Sequence, residues 1–486
     1  MRRVRTRQST AGNKLAVPRK ASRQKRLELA GEAIREDLPD MAIRLLARQI
    51  QAKTANPDER VFYALALLML GAYRETQQLL DEVDSELYPR AKLTLVFLKF
   101  LQWDWPNCLE PLQQVLANPR CRRHEQLIAR SHLGAALIHG FGRYEEARSH
   151  LLEIAKEADP VEFRLIHVTA LQLIGQSYYL EGKLETGLGY LTRAESALVG
   201  IRGDYNTLIL RQWRCLLEGK PEKLHDVRLA FETLARWENA RACAYYEAVA
   251  RKDREMILDL YFGTPYPGFR KKILERTGIK PSELPERHDL RIGPEGVGVR
   301  ADAPEFGQDT QLVDLSDALE AGSLPDRLLR ELIRDPYHPP GFARLADALY
   351  PGEIFHPTST PDRIWQLVRR LRAELRAKKI PLDVRARDGF FRLIASKPCR
   401  VSVEREVREH PTRTTARLGQ LREVFGHDAF TAAEAQSRLG LKRWSTVALL
   451  SDAAEEGGLV REGAGRAVRY LSLIHISEPT RLRRIS

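Results

Sequence analysis

Between about Leu27 and Leu260 the chain repeats one local device: an apolar helical run, a break, and a second run that opens on an aromatic or apolar residue. The breaks are Gly71-Ala72-Tyr73, Trp103-Asp104-Trp105, Gly142-Arg143-Tyr144, Gly182-Lys183-Leu184 and Gly219-Lys220-Pro221, about 32 to 40 residues apart. The break residue ends one helix and the aromatic packs between neighbours. A helix pair this short buries its apolar face only by stacking on the next pair. Tyr63, Leu67, Leu70, Tyr73 and Leu80, and likewise Leu133, Leu137, Tyr144, Ala147 and Leu151, are therefore expected in the core rather than at a ligand.

The spacing, together with segments such as Gly142-Arg-Tyr-Glu-Glu-Ala-Arg-Ser-His-Leu151, resembles the tetratricopeptide-repeat family. That resemblance implies an α-solenoid over 27–262 whose concave surface takes an unidentified protein or peptide, or a second copy of the chain. Asn107, Arg143, His167, Gln172, Gln176, Tyr179 and Arg211 lie on or beside the repeat helices and are expected to satisfy surface or interhelix hydrogen bonds.

Further on, Ile364, Val368, Leu371 and Leu375 recur at helical spacing and make one apolar stripe. The opposite face carries Gln366, Arg369, Ala373 and Arg376, with Arg370 beside them, so the helix is apolar on one side and cationic on the other. Thr360 is the expected N-cap and Pro361 the first helical residue, leaving N–H groups at the helix start for a phosphate. Leu382–Arg385 and Phe390–Ile394 alternate as two strands closed by Asp388-Gly389, with Arg385 and Arg387 near the tip. With the helical stretches Asp326–Arg334 and Phe342–Leu349, segment 311–396 resembles the winged-helix effector domain of OmpR/PhoB-type bacterial regulators. The resemblance implies that the cationic helix enters the major groove of double-stranded DNA and that Arg385 and Arg387 are wing contacts. No receiver domain is read ahead of this segment, so aspartyl-phosphate control is not implied.

A second module is expected over 413–470: a helix from Thr415 to Phe425, a capping box at Thr431-Ala-Ala-Glu434, a helix from Lys442 to Glu456, and alternation from Leu459 to Tyr470. It resembles a generic winged helix-turn-helix. Lys442, Arg443, Ser445 and Thr446 at the helix start and Arg466 on the wing are the DNA contacts this implies. Leu449, Asp452 and Glu456 are expected to face out, opposite Val447, Leu450 and Ala454, and acids repel phosphate. Dimerisation through this module therefore stays open beside DNA contact.

The 486 residues suit about two to four domains, and 43% hydrophobic content suffices for packed cores. A net charge of +13 favours an anionic partner, because Lys and Arg gain by releasing counterions from phosphates. Met1–Ala30 holds ten Lys or Arg against Glu28 alone, so residues 1–26 are expected to be a basic disordered arm. Segments 263–310, with a hairpin around Gly293-Pro-Glu-Gly296, and 397–412 read as linkers. Cys108, Cys121, Cys215, Cys243 and Cys399 lack metal-ligand or disulfide spacing and fit reduced thiols of a cytoplasmic protein; no metal or other cofactor is expected. No run of apolar residues reaches the length of a membrane span. Residues 471–486 resemble the in-frame translation of a sequencing adaptor and are excluded from fold and function reasoning; the natural chain is expected to differ after about Tyr470.

Gly219-Lys220 is no phosphate loop, since Arg214 and Pro221 occupy the required Gly and Ser/Thr positions, and Cys121 with His124 lacks a second ligand pair. The expectation is a mainly α, non-enzymatic protein: a tetratricopeptide-like solenoid followed by two small winged-helix domains, acting as a transcriptional regulator. Homodimerisation is expected only by analogy with modules that read two half-sites. The competing expectation is a protein-interaction scaffold whose winged helices dock proteins.

Overall fold

A computed structural model of the chain describes residues 21–158, 163–200, 204–297, 310–315, 318–405, 413–426, 428–455, 458–463 and 468–472. These form two units, Met1–Asp314 with Glu331–Val407 and Leu315–Arg330 with Arg408–Ser486. No helix among the described residues is long and apolar enough to cross a membrane.

The first unit begins with seven helix pairs: α1 (Arg23–Arg35) and α2 (Pro39–Gln51), α3 (Pro57–Met69) and α4 (Tyr73–Asp81), α5 (Pro89–Leu101) and α6 (Leu109–Ala117), α7 (Arg123–Ala136) and α8 (Tyr144–Glu157), α9 (Arg164–Leu180) and α10 (Leu184–Leu198), α11 (Asp204–Leu217) and α12 (Leu224–Thr233), α13 (Trp237–Arg251) and α14 (Arg254–Phe262). Each helix packs on the next, and from α1 to α11 each odd-numbered helix also packs on the odd-numbered helix that follows it. Every within-pair turn places one residue in the left-handed region: Asp37, Gly71, Trp103, Gly142, Gly182, Gly219 and Lys252. Five are the breaks read from sequence. Asp37 and Lys252 have neither the glycine that marks four of the breaks nor the paired tryptophans that mark the Trp103 break, and both take a conformation that glycine adopts most freely.

The tail expectation needs shortening, because Ser22 caps α1 and Arg23 is already helical; residues 1–20 lie outside the described set. The first expected linker contains α15 (Pro267–Thr277) and two strands, β1 (Arg287–Gly293) and β2 (Gly296–Val297), paired around Gly293 and Gly296 as read. The second expected linker also holds a strand among its described residues. Cys399–Glu404 runs antiparallel to β1 along its whole length and parallel to Leu312–Val313. A pairing across more than a hundred residues leaves no local trace in sequence.

From Leu312–Val313 (β3) the chain enters α16 (Leu324–Arg334), α17 (Phe342–Leu349) and α18 (Ser359–Ala377). A hairpin of β4 (Leu382–Arg387) and β5 (Phe390–Ala395) follows, then Cys399–Glu404 as β6. Register Arg387↔Phe390 leaves Asp388 and Gly389, at φ 52° and 87°, as a two-residue turn of the expected kind.

From Glu331 on, this part is packed into the helix pairs through buried polar bonds. Tyr63 donates its hydroxyl to the Phe355 carbonyl at 2.9 Å, and Phe355 N–H donates to Glu75 at 3.0 Å. Asp347 on α17 accepts from the backbone N–H groups of Arg74 and Glu75 and so caps α4 from outside. Phe390 meets Trp237 edge to face, and Arg392 pairs with Glu232 at 3.0 Å. Arg291 and His288 on β1 both bond Asp259 on α14.

The second unit contains the first turns of α16, up to Arg330, with α19 (Arg413–Phe425), α20 (Ala432–Leu439), α21 (Arg443–Glu455) and a hairpin of β7 (Leu459–Glu462) with β8 (Arg469–Ser472). Thr431 and Glu434 form the capping box read from sequence. Leu418, Leu421, Phe430, Leu450, Leu459 and Tyr470 make its core. Leu471 and Ser472, assigned to the adaptor-like tail, complete β8. The rest of that tail lies outside the described residues.

Candidate nucleic-acid interface

The apolar stripe of α18 is buried as its spacing requires: Ile364, Val368, Leu371 and Leu375 are all 0% exposed. Its outer face carries Gln366, Arg369, Arg370, Ala373 and Arg376, all exposed. Trp365 is 37% exposed and leans on Phe391 and Phe342, fixing the helix against the hairpin. Arg372 is spent on structure, donating to Asp383 at 2.9 Å and to the Val384 carbonyl. Arg363 is likewise held by Glu353 at 2.5 Å.

The remaining arginines differ in freedom. Arg369 makes no ion pair among the described residues. Arg370 stands 3.7 Å from Glu374, and Arg376 stands 4.0 Å from Asp383, both long contacts on exposed side chains. On the hairpin, Arg387 is 87% exposed and 3.5 Å from its neighbour Asp388. Arg385 is tied at 2.8 Å to Glu295 in the β1–β2 turn. An anion meets Arg369, Arg370, Arg376 and Arg387 without breaking a close pair, whereas Arg385 must first leave its carboxylate.

Thr360 is corrected. It sits inside the first turn of α18, 5% exposed, and its hydroxyl oxygen accepts from His356 N–H at 3.0 Å. Thr358 is the cap position, and the cap is a histidine: His356 Nδ1 accepts from the N–H groups of Thr358 and Ser359. The imidazole therefore covers part of the helix start that was expected to be open to phosphate. A three-residue offset between cap and capped N–H is ordinary for Ser or Asp, and a histidine in that role carries no sequence signal.

In the second unit, Lys442 and Arg443 are exposed and Ser445 is half-buried. Thr446 is 0% exposed and donates its hydroxyl to the Lys442 carbonyl, so it belongs to the interior. The facing of α21 is also corrected. Leu449 is buried with Leu450 and Ala453, while Val447 is 42% and Trp444 is 73% exposed. Apolar residues at 447, 449, 450, 453 and 454 fit two helical stripes, and sequence alone chose the wrong one. Arg466 and Glu456 lie outside the described residues.

Two clusters escaped sequence reasoning. Glu238, Asp335 and His338 bring ligand-type atoms within 4.8 Å of one another. Each carboxylate oxygen already accepts from a buried donor. Asp335 accepts from Arg241 at 2.5 Å and Arg344 at 3.1 Å, and Glu238 accepts from His338 Nδ1 at 2.9 Å and Trp103 Nε1 at 3.1 Å. Burial opposes ionisation of Glu238, yet Arg241 and His338 hold its carboxyl below the usual range. Burial and the Arg344 charge push His338 below its ordinary value, against the pull of Glu238 and Asp335. With two guanidiniums in place as counter-ions, the donor set fits an internal ion network and not a metal.

The second cluster is Lys272, whose ammonium stands 4.9 Å from the Trp103 ring and 5.9 Å from the rings of Tyr245 and Tyr246. It has no carboxylate partner among the described residues, and burial pushes it down to about 8. The Tyr245 hydroxyl and Trp105 Nε1 nearby are buried without hydrogen-bond partners among the described residues. Of the polar repeat residues read from sequence, Gln176 bonds His139, His167 bonds the Ala155 carbonyl and Asn107 bonds Asp104.

Compared with protein-family models, with curated proteins and with solved structures, the chain matches none of them.

Proposed function

We propose that the chain is a DNA-binding transcriptional regulator in which a tetratricopeptide-like solenoid takes a protein or peptide input and an OmpR-like winged helix reads promoter DNA. The observation that carries this reading is the outer face of α18, where Arg369, Arg370 and Arg376 surround the small Ala373 and none is held by a close carboxylate. Such a face admits a groove edge and offers guanidiniums to guanine or phosphate. Arg387 at the tip of the β4–β5 hairpin extends the cationic surface in the manner of a wing. The input is assigned to the helix pairs together with α15, whose Lys272 lies among aromatic rings of the pairs, has no carboxylate partner among the described residues and suits a carboxylate.

Fluorescence anisotropy of the full chain on double-stranded DNA at two salt concentrations tests the reading. Affinity that falls steeply with salt, and falls again in Arg369→Ala/Arg376→Ala, supports it. Weak binding indifferent to both favours the scaffold, a reading supported by the exposed Trp444 of α21.

A further inference from the structure

α21 is charged the wrong way round for a lone helix. Lys442 and Arg443 stand at its N-terminal end, Asp452 and Glu455 near its C-terminal end, and all four are exposed. Its first turn holds no acid and its last turn no base. Because the helix dipole favours anions at the start and cations at the end, each of these charges opposes the field of its own helix. None of the four forms an ion pair among the described residues. Between the charges lies an apolar strip, with Trp444 at 73% and Val447 at 42% exposure, so the helix violates two local rules on one face.

The open patch on this helix is lined by Arg443, Trp444, Val447, Ala448, Ser451 and Asp452. The set is symmetric about a point midway between Val447 and Ala448. We infer that α21 is a homodimer interface in which two copies of the helix pack antiparallel across a two-fold axis at that point.

The axis sets Arg443 against the partner's Asp452, Trp444 against the partner's Ser451, and Val447 against the partner's Ala448. Each large side chain meets a small one and each cation meets an anion, which is the self-complementarity that an isologous contact demands. The two helix dipoles then run antiparallel, and the charges that oppose their own helix lie beside the opposite end of the other. A second copy is thus the occupant that the charge order selects. DNA would leave Asp452 and Glu455 facing phosphate.

One helix face is smaller than the roughly 800 Å² per partner of a standard stable interface, so the pairing is weak in free solution and strengthens when two copies are held close together. This inference concerns the second unit and stands whether or not α18 reads DNA.

Sedimentation equilibrium of the full chain, from low to several hundred micromolar, tests it. The expected result is a monomer–dimer equilibrium that Val447→Glu abolishes. Arg443→Asp and Asp452→Arg each weaken it more than tenfold, and the double variant carrying both restores it. All of these positions are exposed, and circular dichroism checks that the variants remain folded. A wild type that stays monomeric throughout, a dimer indifferent to these changes, or a double swap that fails to restore pairing overturns the inference. So does a monomeric chain whose DNA affinity drops in Arg443→Asp, which would assign the face to nucleic acid.

Discussion

Asp335 holds Arg241 in a contact that neither side chain shares with solvent: Arg241 Nη2 lies 2.5 Å from Asp335 Oδ1, and both side chains are 0% exposed. Arg241 belongs to the seventh helix pair and Asp335 directly follows α16, so the bond joins the repeats to the segment that carries α18. Arg344 completes the group from α17 by taking the other oxygen of Asp335. The cationic helix is thereby built into the same body as the repeats.

Removing the charge of Asp335 leaves two buried guanidiniums against one fewer anion. Asp335→Asn is expected to destabilise the chain by about 3–5 kcal/mol, because an uncompensated buried charge costs far more than the intact pair contributes. Chemical denaturation checks this. A loss under about 1 kcal/mol would mean that the network is not closed in solution.

Glu75, which accepts from the Phe355 N–H, makes a second contact between the repeats and this segment pH-dependent. Burial, with the charge of Asp347 adding to it and the N–H of Phe355 opposing, pushes its carboxyl up to about 8 from the ordinary 4.5. A group whose folded value is raised contributes stability that is fully present below the unfolded value and is lost as pH rises through the folded one. Stability from this residue should therefore be complete below about pH 4.5 and gone above about pH 8, and Glu75→Gln should flatten that slope. Melting temperatures of both proteins across this window decide it; parallel profiles would show that Glu75 is ionised throughout.

The arginines on the candidate interface should not be equivalent. Arg369→Ala is expected to lower DNA affinity by about 1–3 kcal/mol, as for a guanidinium that reaches a base or a phosphate without losing a partner. Arg385→Ala should matter less, since Glu295 already holds that side chain. Titrations of the two variants at one salt concentration give the ranking, and an equal or reversed order would move the contact toward the hairpin base.

All five cysteines are buried, and burial raises each thiol above its ordinary value, Cys399 to about 11 and Cys108 to about 12. The native chain should be inert to a thiol-exchange reagent at neutral pH and should react fully once denatured. Rapid labelling of a thiol in the folded chain would show that its helix pair opens.

Local pattern carried the elements well and their meetings poorly. The α18 stripe, the Asp388-Gly389 turn and the Thr431 capping box each depend on residues a few positions apart, and each stands as read. Two of the repeat breaks did not show, because Asp37 and Lys252 adopt left-handed turns with neither a glycine nor the aromatic pair that marks the turn at Trp103. The pairing of β1 with β6, the cap from Asp347 onto α4 and the Arg241–Asp335–Arg344 group join residues far apart in the chain, and charge or hydropathy at one position does not say which distant position it meets. At the candidate interface, exposure of Gln366, Arg369, Arg370, Ala373 and Arg376 followed from the stripe opposite them. The burial of Thr360 followed from a histidine cap that no pattern announces.

A selection of genomic fragments by the full chain at two salt concentrations, wild type against Arg369→Ala/Arg376→Ala, tests the central claim most directly. The full chain is required because the segment bearing α18 shares a buried ion network with the repeats. Enrichment of one sequence, with recovery falling as salt rises and collapsing in the double variant, is the predicted result; recovery of unrelated fragments, unchanged by the substitutions, would contradict the account.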